Sequence, residues 1–246
     1  MTVKPKLIAH RGGCEWAPEN TLAAFKRSVE FAADGIELDV QRCASGELVV
    51  IHDVEISRTT NGVGYIRDIS YSELRRLSAG SWFGDGVEFA SEYIPLLEEV
   101  LAVIDGKLTL HLEIKNAPIE YPGIEEDVLE LLQYYKYPDK VVISSFDHRI
   151  LKRIHEIEPG RKIALLADAY FLSIVDYAKQ VGTTVWHPGF GNLRKEAVEA
   201  AHDVGMDVNT WTLNKPREWA LALAMEVDGI ITNDPVGLRN FLSRLN

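Results

Sequence analysis

GIELDVQR at residues 35–42, CASG at 43–46 and ELVVIHD at 47–53 form the stretch on which the fold turns. The first and last runs are rich in β-branched and aliphatic residues and read as strands. In an extended strand residues i and i+2 share a face, so Glu37 and Asp39 point one way and Leu38 the other. The CASG link is too short for a crossover helix, so the second run folds back antiparallel as a hairpin. With the turn centred on Ala44 and Ser45, Glu37 stands across from His52.

Outward from this hairpin, short β-branched runs alternate with helical patterns of about a dozen residues. Strands are expected at 6–11, 35–42, 107–115, 140–146, 161–167, 183–187, 207–213 and 228–232. Helices are expected at 19–33, 96–104, 124–135, 148–157, 172–181, 194–204, 216–227 and 236–244. Pro18 and Pro216 stand at helix starts, and Gly182 and Gly205 stand where left-handed glycines end helices. Eight strands in strict alternation with eight helices close most naturally as a distorted (β/α)8 TIM barrel. The hairpin strand 47–53 is additional to it, and residues 54–95 form an insertion too long for a plain linker. Residues 1–246 are accordingly read as one catalytic barrel domain carrying a small insertion subdomain at about 54–95.

Composition narrows the function. The chain has 246 residues, 46% of them hydrophobic, enough for one large core, and its 26% charged residues exclude a collagenous or disordered chain. No apolar run approaches the ~18 residues of a membrane span; the longest covers residues 219–225. Residues 1–6 enter the first strand without the apolar core of an export signal, so a cytoplasmic location without stable membrane association is expected. Cys14 and Cys43 are too few for a disulfide scaffold, lack metal-site spacing, and read as plain thiols near the rim. With 26 basic against 37 acidic residues, net −11, the chain is no nucleic-acid binder. A small anionic substrate is not excluded, because a metal and one or two cations reverse the field locally. Oligomeric state is not legible.

Barrel enzymes carry their chemistry at the C-terminal ends of the strands. Those ends hold His10 and Arg11, Glu37 and Asp39, Glu113 and Lys115, His52 and Asp53, Phe146, His187, Trp211 and Asn233. Carboxylates facing a barrel interior are costly unless paired or metal-bound. Glu37, Asp39 and Glu113 suit a hard divalent cation, Mg2+ or Ca2+ with Mn2+ as a further candidate; an internal salt bridge from Lys115 without metal is the alternative. A zinc hydrolase would want His-x-His where the chain has His10-Arg11-Gly12, and a glycosidase leaves two histidines unexplained. His10 and His52 can serve as general acid and base on an ester held between them. Arg11 offers a planar fork and Lys115 a point charge to an anionic oxygen. His148, His155 and His202 fall in helical stretches and His111 at mid-strand; His187 ends a strand and could touch the pocket.

These residues resemble the glycerophosphodiester phosphodiesterase family of the phospholipase-C-like barrel superfamily. The resemblance runs in order from residue 7 to 235 through HRG (10–12), PENT (18–21), IELDV (36–40), VVIHD (49–53), TNG (60–62), AGSWF (79–83), LEIK (112–115), SF (145–146), WTLN (211–214) and GIIT (229–232). It implies a distorted barrel and metal-dependent hydrolysis of glycerophosphodiesters to sn-glycerol 3-phosphate and an alcohol. Position by position it implies His10 and His52 as the acid/base pair and Glu37, Asp39 and Glu113 as ligands of the divalent cation. It also implies Arg11 and Lys115 on the phosphate, with Phe146 and Trp211 walling the pocket. Glu19 is left outside this set, since it reads equally as a first-turn acid complementing a helix dipole. Asn233 stands where many relatives carry Asp. A lysophospholipid substrate, with Trp82 and Phe83 lining a cap or a lipid groove, is the nearest alternative; a silent barrel that binds without turnover is the alternative of another class. The first nucleophile, water or the glycerol 2-hydroxyl, and the division of roles between the two histidines stay open.

Overall fold

The computed structural model describes residues 4–137 and 140–244. Its strands are β1 (Lys6–Ala9), β2 (Gly35–Arg42), β3 (Leu48–Val50), β4 (Thr109–Ile114), β5 (Val141–Ser145), β6 (Ile163–Ala167), β7 (Val185–Pro188), β8 (Asp207–Thr210) and β9 (Gly229–Thr232). The helices between them are α1 (Leu22–Phe31), α2 (Tyr71–Leu74), α3 (Leu97–Ile104), α4 (Ile124–Tyr134), α5 (His148–Ile157), α6 (Ile174–Val181), α7 (Lys195–His202), α8 (Pro216–Ala224) and α9 (Pro235–Ser243). The strands pair in the order β1-β9-β8-β7-β6-β5-β4-β2-β3, and β1 pairs again with β2. That second pairing closes eight parallel strands into the expected barrel, with β3 outside it.

Alternation along the strands builds two shells. Ile36, Leu38 and Val40 of β2 join Leu110, Leu112 and Ile114 of β4 in the core beneath the helices. Burial of each such side chain contributes about 1.5–3 kcal/mol. The intervening residues point into the barrel, where Val142, Ala164 and Val185 form a small apolar plug. Above that plug the inward positions turn polar, and this is where the chemistry lies.

The distortion of the barrel has a local cause. β1 stops at Ala9 because the chain turns left-handed at three successive residues, Arg11 (φ 51°), Gly12 (82°) and Gly13 (93°). Only the first part of β2 therefore pairs with β1, through Ile8 opposite Gly35 and Ala9 opposite Ile36. The upper edge of β2 is left open, and β3 takes it antiparallel, with Val40 opposite Val50 and Arg42 opposite Leu48. This register is one residue away from the one expected from a turn on Ala44 and Ser45. The link is a three-residue loop in which Cys43 N–H bonds to Glu47 O and Gly46 N–H to Cys43 O. Gly46 adopts φ 103° there, as such loops require. Consequently Asp39, not Leu38, faces Ile51, whose N–H bonds to the Asp39 carbonyl, and His52 lies just beyond the ladder rather than across from Glu37.

Residues 54–95 are mostly turns, with 3-10 turns at Ile56–Arg58 and Ile66–Asp68 and the one short α-helix α2. Ile56, Ile66, Leu74, Ala79 and Ile94 pack there on Val49, Ile51 and Cys43. Cys43 is thus buried under the insertion rather than set at the rim. Trp82 and Phe83 stack edge to face at 5.7 Å, and Phe83 on Phe89 at 5.6 Å. Among the described residues no helix is long and apolar enough to cross a membrane.

The turn that ends β1 is also tightly packed: a Cβ on Gly12 would lie 2.7 Å from the Ala24 Cβ and 3.0 Å from the Phe25 ring. Left-handed strain and overpacking add, so Gly12→Ala should cost about 3 kcal/mol or more. Urea denaturation checks this; an unchanged midpoint would show that the turn tolerates a side chain.

Candidate active site at the barrel mouth

The turn after β1 presents His10 and Arg11 to the centre. The His10 Nδ1 lies 2.6 Å from Asn233 Oδ1, just past β9, and its Nε2 lies 3.8 Å from Glu37 Oε2. Burial, followed by the neighbouring Arg11 charge, pushes the His10 pKa down to about 4. Arg11 donates its backbone N–H to Glu37 Oε2 at 3.0 Å. Its guanidinium meets Glu19 at 2.8 Å and Asp39 at 3.3 Å.

β2 and β4 run side by side with Asp39 opposite Glu113, so strand alternation brings Glu37, Asp39 and Glu113 to one patch. Their ligand oxygens all lie within 4.8 Å of one another, and all three residues are buried. Lys115 spans two of them, with Nζ 3.0 Å from Asp39 and 2.6 Å from Glu113. The Lys115 salt bridge and the carboxylate cluster thus occur together in one arrangement. Burial opposes ionisation of Asp39, yet Lys115 and Arg11 hold its carboxyl well below the usual range. Glu37 and Glu113 are displaced the other way: burial, together with the charge of neighbouring carboxylates, raises both. The donor set is all hard oxygen, in a site short of positive charge, and Asn20 Nδ2 fixes Asp39 Oδ2 from outside at 2.8 Å. A hard divalent cation fits it.

His52 comes from the chain just after β3. Its Nδ1 is 2.5 Å from Asp53 Oδ1. Asp53 in turn accepts from Arg58, which also bonds twice to Glu19. Burial lowers the His52 pKa, while Asp39 and Asp53 oppose that fall.

The cavity between these groups measures about 460 Å3 including its open mouth. His10, Arg11, Glu37, His52, Glu113 and Lys115 line one side, with Phe146 and Trp211 on the wall. The two rings meet edge to face at 5.7 Å. Trp82 and Phe83 are not in its lining. The larger surface hollow walled by Tyr170, Phe171 and Trp186 carries Arg194 and Glu196 as its charged groups.

All nine residues singled out from the sequence meet at this mouth. Asp39 touches it through Arg11 and Lys115 rather than lining the cavity. Several partners were not foreseen. Glu19 is no first-turn acid: Thr21 caps α1 by accepting from Ala24 N–H, so Glu19 lies before the helix and pairs with Arg11 and Arg58. Asn20, Arg58 and Ser144 also belong here, with PENT the available signal for Asn20, and Asp53 and Asn233, expected at strand ends, prove to be the Nδ1 partners of His52 and His10. His187 does line the cavity, buried and neutral, with its pKa pushed down to about 3 by burial.

Cations, carboxylates and two imidazoles gathered at the C-terminal mouth of a parallel barrel place the protein in the class of barrel phosphodiesterases. Comparison with known proteins makes the assignment particular. The chain belongs to the Glycerophosphoryl diester phosphodiesterase family, whose model matches residues 10–236. A glycerophosphodiester phosphodiesterase of Caldanaerobacter subterraneus subsp. tengcongensis is 40% identical over 243 residues, covering 98% of this chain and 99% of that one. One from Bacillus altitudinis is 37% identical over 94% of this chain and 95% of its own length. Among solved structures, an Oleispira antarctica phosphodiesterase in complex with the product sn-glycerol-3-phosphate superposes with a TM-score of 0.89 at 27% identity, over 97% of each chain. The glycerophosphodiester phosphodiesterase of Thermotoga maritima gives 0.77 at 26% identity over the whole of both chains.

A cation entering the cluster needs carboxylates, not carboxylic acids. Because Glu37 and Glu113 are raised, Mg2+ or Ca2+ binding should release protons near neutrality, and affinity should climb as pH rises from about 5 to about 8. Calorimetric titration in buffers of different ionisation enthalpy measures the released protons; pH-independent affinity with none released would count against these ligands. Glu113→Ala should abolish the tight site.

Proposed function

We propose that the protein hydrolyses glycerophosphodiesters to sn-glycerol 3-phosphate and an alcohol, using His10 and His52 as general base and general acid. The observation that carries this reading is the meeting of both histidines, Arg11, Lys115 and the carboxylate cluster around one small cavity in a member of this family. The phosphate sits against Arg11 and Lys115, and Glu37, Asp39 and Glu113 hold one divalent cation. When bound, the cation supplies Lewis-acid neutralisation of charge developing on the phosphoryl oxygens.

The partners of the two rings divide their roles. Asn233 offers His10 an uncharged amide oxygen, so the Nδ1 proton is donated there and Nε2 is left free to accept. Burial beside Arg11 keeps that imidazole neutral, as a base must be. His52 instead points Nδ1 at the Asp53 carboxylate, which counters the lowering that burial imposes on its pKa and favours the imidazolium whose Nε2 proton goes to the departing alkoxide. The attacking oxygen is water or the substrate's own glycerol 2-hydroxyl, and His10 takes its proton in either case; attack by the hydroxyl expels the alcohol and leaves a cyclic phosphate, which water then opens to glycerol 3-phosphate. A cavity of about 460 Å3 walled by Phe146 and Trp211 suits the glycerol end of the substrate, and Trp82 and Phe83 lie outside its lining. Residues 54–95 act in this reading as a support for His52 within a single catalytic unit.

Release of glycerol 3-phosphate from glycerophosphocholine and glycerophosphoethanolamine tests the proposal, with metal-stripped protein and with Mg2+, Ca2+ or Mn2+ added. Turnover should require the cation, and His10→Ala and His52→Ala should each lower kcat by about 10²–10⁴. Chelator-insensitive turnover, or turnover preserved in both variants, would overturn it; activity confined to lysophospholipids would replace the substrate. The role of His10 has a separate check. Asn233→Asp places a carboxylate on Nδ1 and raises the His10 pKa, so the base is protonated at higher pH and the acidic limb of kcat/KM should move upward. An unmoved limb would remove His10 from the role of base.

A further inference from the structure

Gln41 is completely buried near the end of β2 and belongs to none of the groups assigned so far. Its side-chain Nε2 lies within hydrogen-bond distance of three consecutive backbone carbonyls, 3.0 Å from Ile51 O, 3.0 Å from His52 O and 2.9 Å from Asp53 O. β3 has ended at Val50, so these carbonyls have left the ladder that would have supplied donors. Carbonyls released from a ladder need partners, and the two N–H donors of one amide are shared among these three. The convergence of three successive carbonyls on one nitrogen curls the chain tightly around the Cα of His52.

The amide is oriented from its other end. Tyr121, after β4, donates its hydroxyl to Gln41 Oε1 at 3.0 Å, which leaves Nε2 facing the carbonyls. Tyr121 is itself held through its N–H to Asn116 Oδ1, and Asn116 through its Nδ2 to Asp147. A chain of buried hydrogen bonds thus runs from the β4–α4 and β5–α5 loops to the backbone of His52, on a different route from the Asp53–Arg58 contacts that grip its ring.

We propose that Gln41, oriented by Tyr121, is a positioning residue that sets where His52 delivers its proton. This rests on the reading of His52 as the general acid. A shift of about 1 Å in a catalytic group can cost about 10²-fold, and loss of the clamp releases the backbone that carries the imidazole.

The consequence is selective for the leaving group. An alkoxide must be protonated as it departs, whereas p-nitrophenoxide leaves without that help. The test compares glycerophosphoethanolamine with the p-nitrophenyl diester of glycerol 3-phosphate, on the full chain with added divalent cation. Gln41→Met keeps length and removes the donor. It should lower kcat for the ethanolamine ester by about 10²-fold, change kcat for the p-nitrophenyl ester by less than about 3-fold, and leave KM and cation affinity unchanged. His52→Ala should show the same selectivity, more strongly. Tyr121→Phe, a gentler change, should lower kcat for the ethanolamine ester by about 3- to 10-fold with the same bias, and it carries the test alone if Gln41→Met does not fold. Equal losses on the two esters, or undiminished kcat on both, would overturn the positioning role. If His52→Ala keeps full turnover of the ethanolamine ester, the general-acid reading falls and this inference with it; if His52→Ala is selective and Gln41→Met is not, only the inference falls.

Discussion

Everything at the mouth of this barrel follows from three carboxylates placed where their charge is hard to hold. Glu37, Asp39 and Glu113 crowd within 4.8 Å in a site that water reaches poorly. Two like charges at about 5 Å repel by about 3 kcal/mol even at an effective dielectric near 20. The chain supplies two cations, and both settle on Asp39, Arg11 at 3.3 Å and Lys115 at 3.0 Å. Asp39 is therefore the anchored anion, while Glu37 and Glu113 keep raised affinities for protons. That imbalance is one that a divalent cation would resolve.

The backbone departs from an ideal barrel to reach this arrangement. Had β1 continued past Ala9, it would have covered the upper edge of β2 and left no room for β3. The left-handed run from Arg11 to Gly13 ends β1 early, directs the Arg11 N–H onto Glu37, and opens the edge onto which β3 zips. His10 and His52 then approach from the two sides of that opening, one from the interrupted strand and one from the strand that replaced it. Glu19 and Arg58 bridge the gap from the turn before α1 and from the insertion.

Much of this was legible in the sequence because strands repeat every two residues. Alternating charged residues in ELD and EIK can only point into a barrel, and their neighbours Leu38 and Ile114 only outward. Legibility failed where side chains are brought together by loops. Nothing local ties Asn233 to His10 across 223 positions, or Arg58 to Glu19. Glu19 was misread because the start of α1 was placed at residue 19, whereas the Thr21 cap starts the helix later. The hairpin slipped by one residue for a similar reason. Three-residue loops that close through a left-handed glycine look, from sequence, much like two-residue ones. The shift sets Asp39 across from Ile51 and frees His52 from the ladder.

The two histidines, so alike as letters in the sequence, end in opposite surroundings. His10 is enclosed and adjacent to a guanidinium, and these two disfavour a second proton by more than the Asn233 amide and the nearby carboxylates favour one. His52 is more open and faces a carboxylate that Arg58 holds in place. An amide at 233 cannot stabilise an imidazolium as a carboxylate would, and this difference falls on the side of the mouth where a neutral ring is the useful one. The proposed division into base and acid thus needs no special property of either imidazole. It follows from which partner, amide or carboxylate, the fold delivers to each Nδ1.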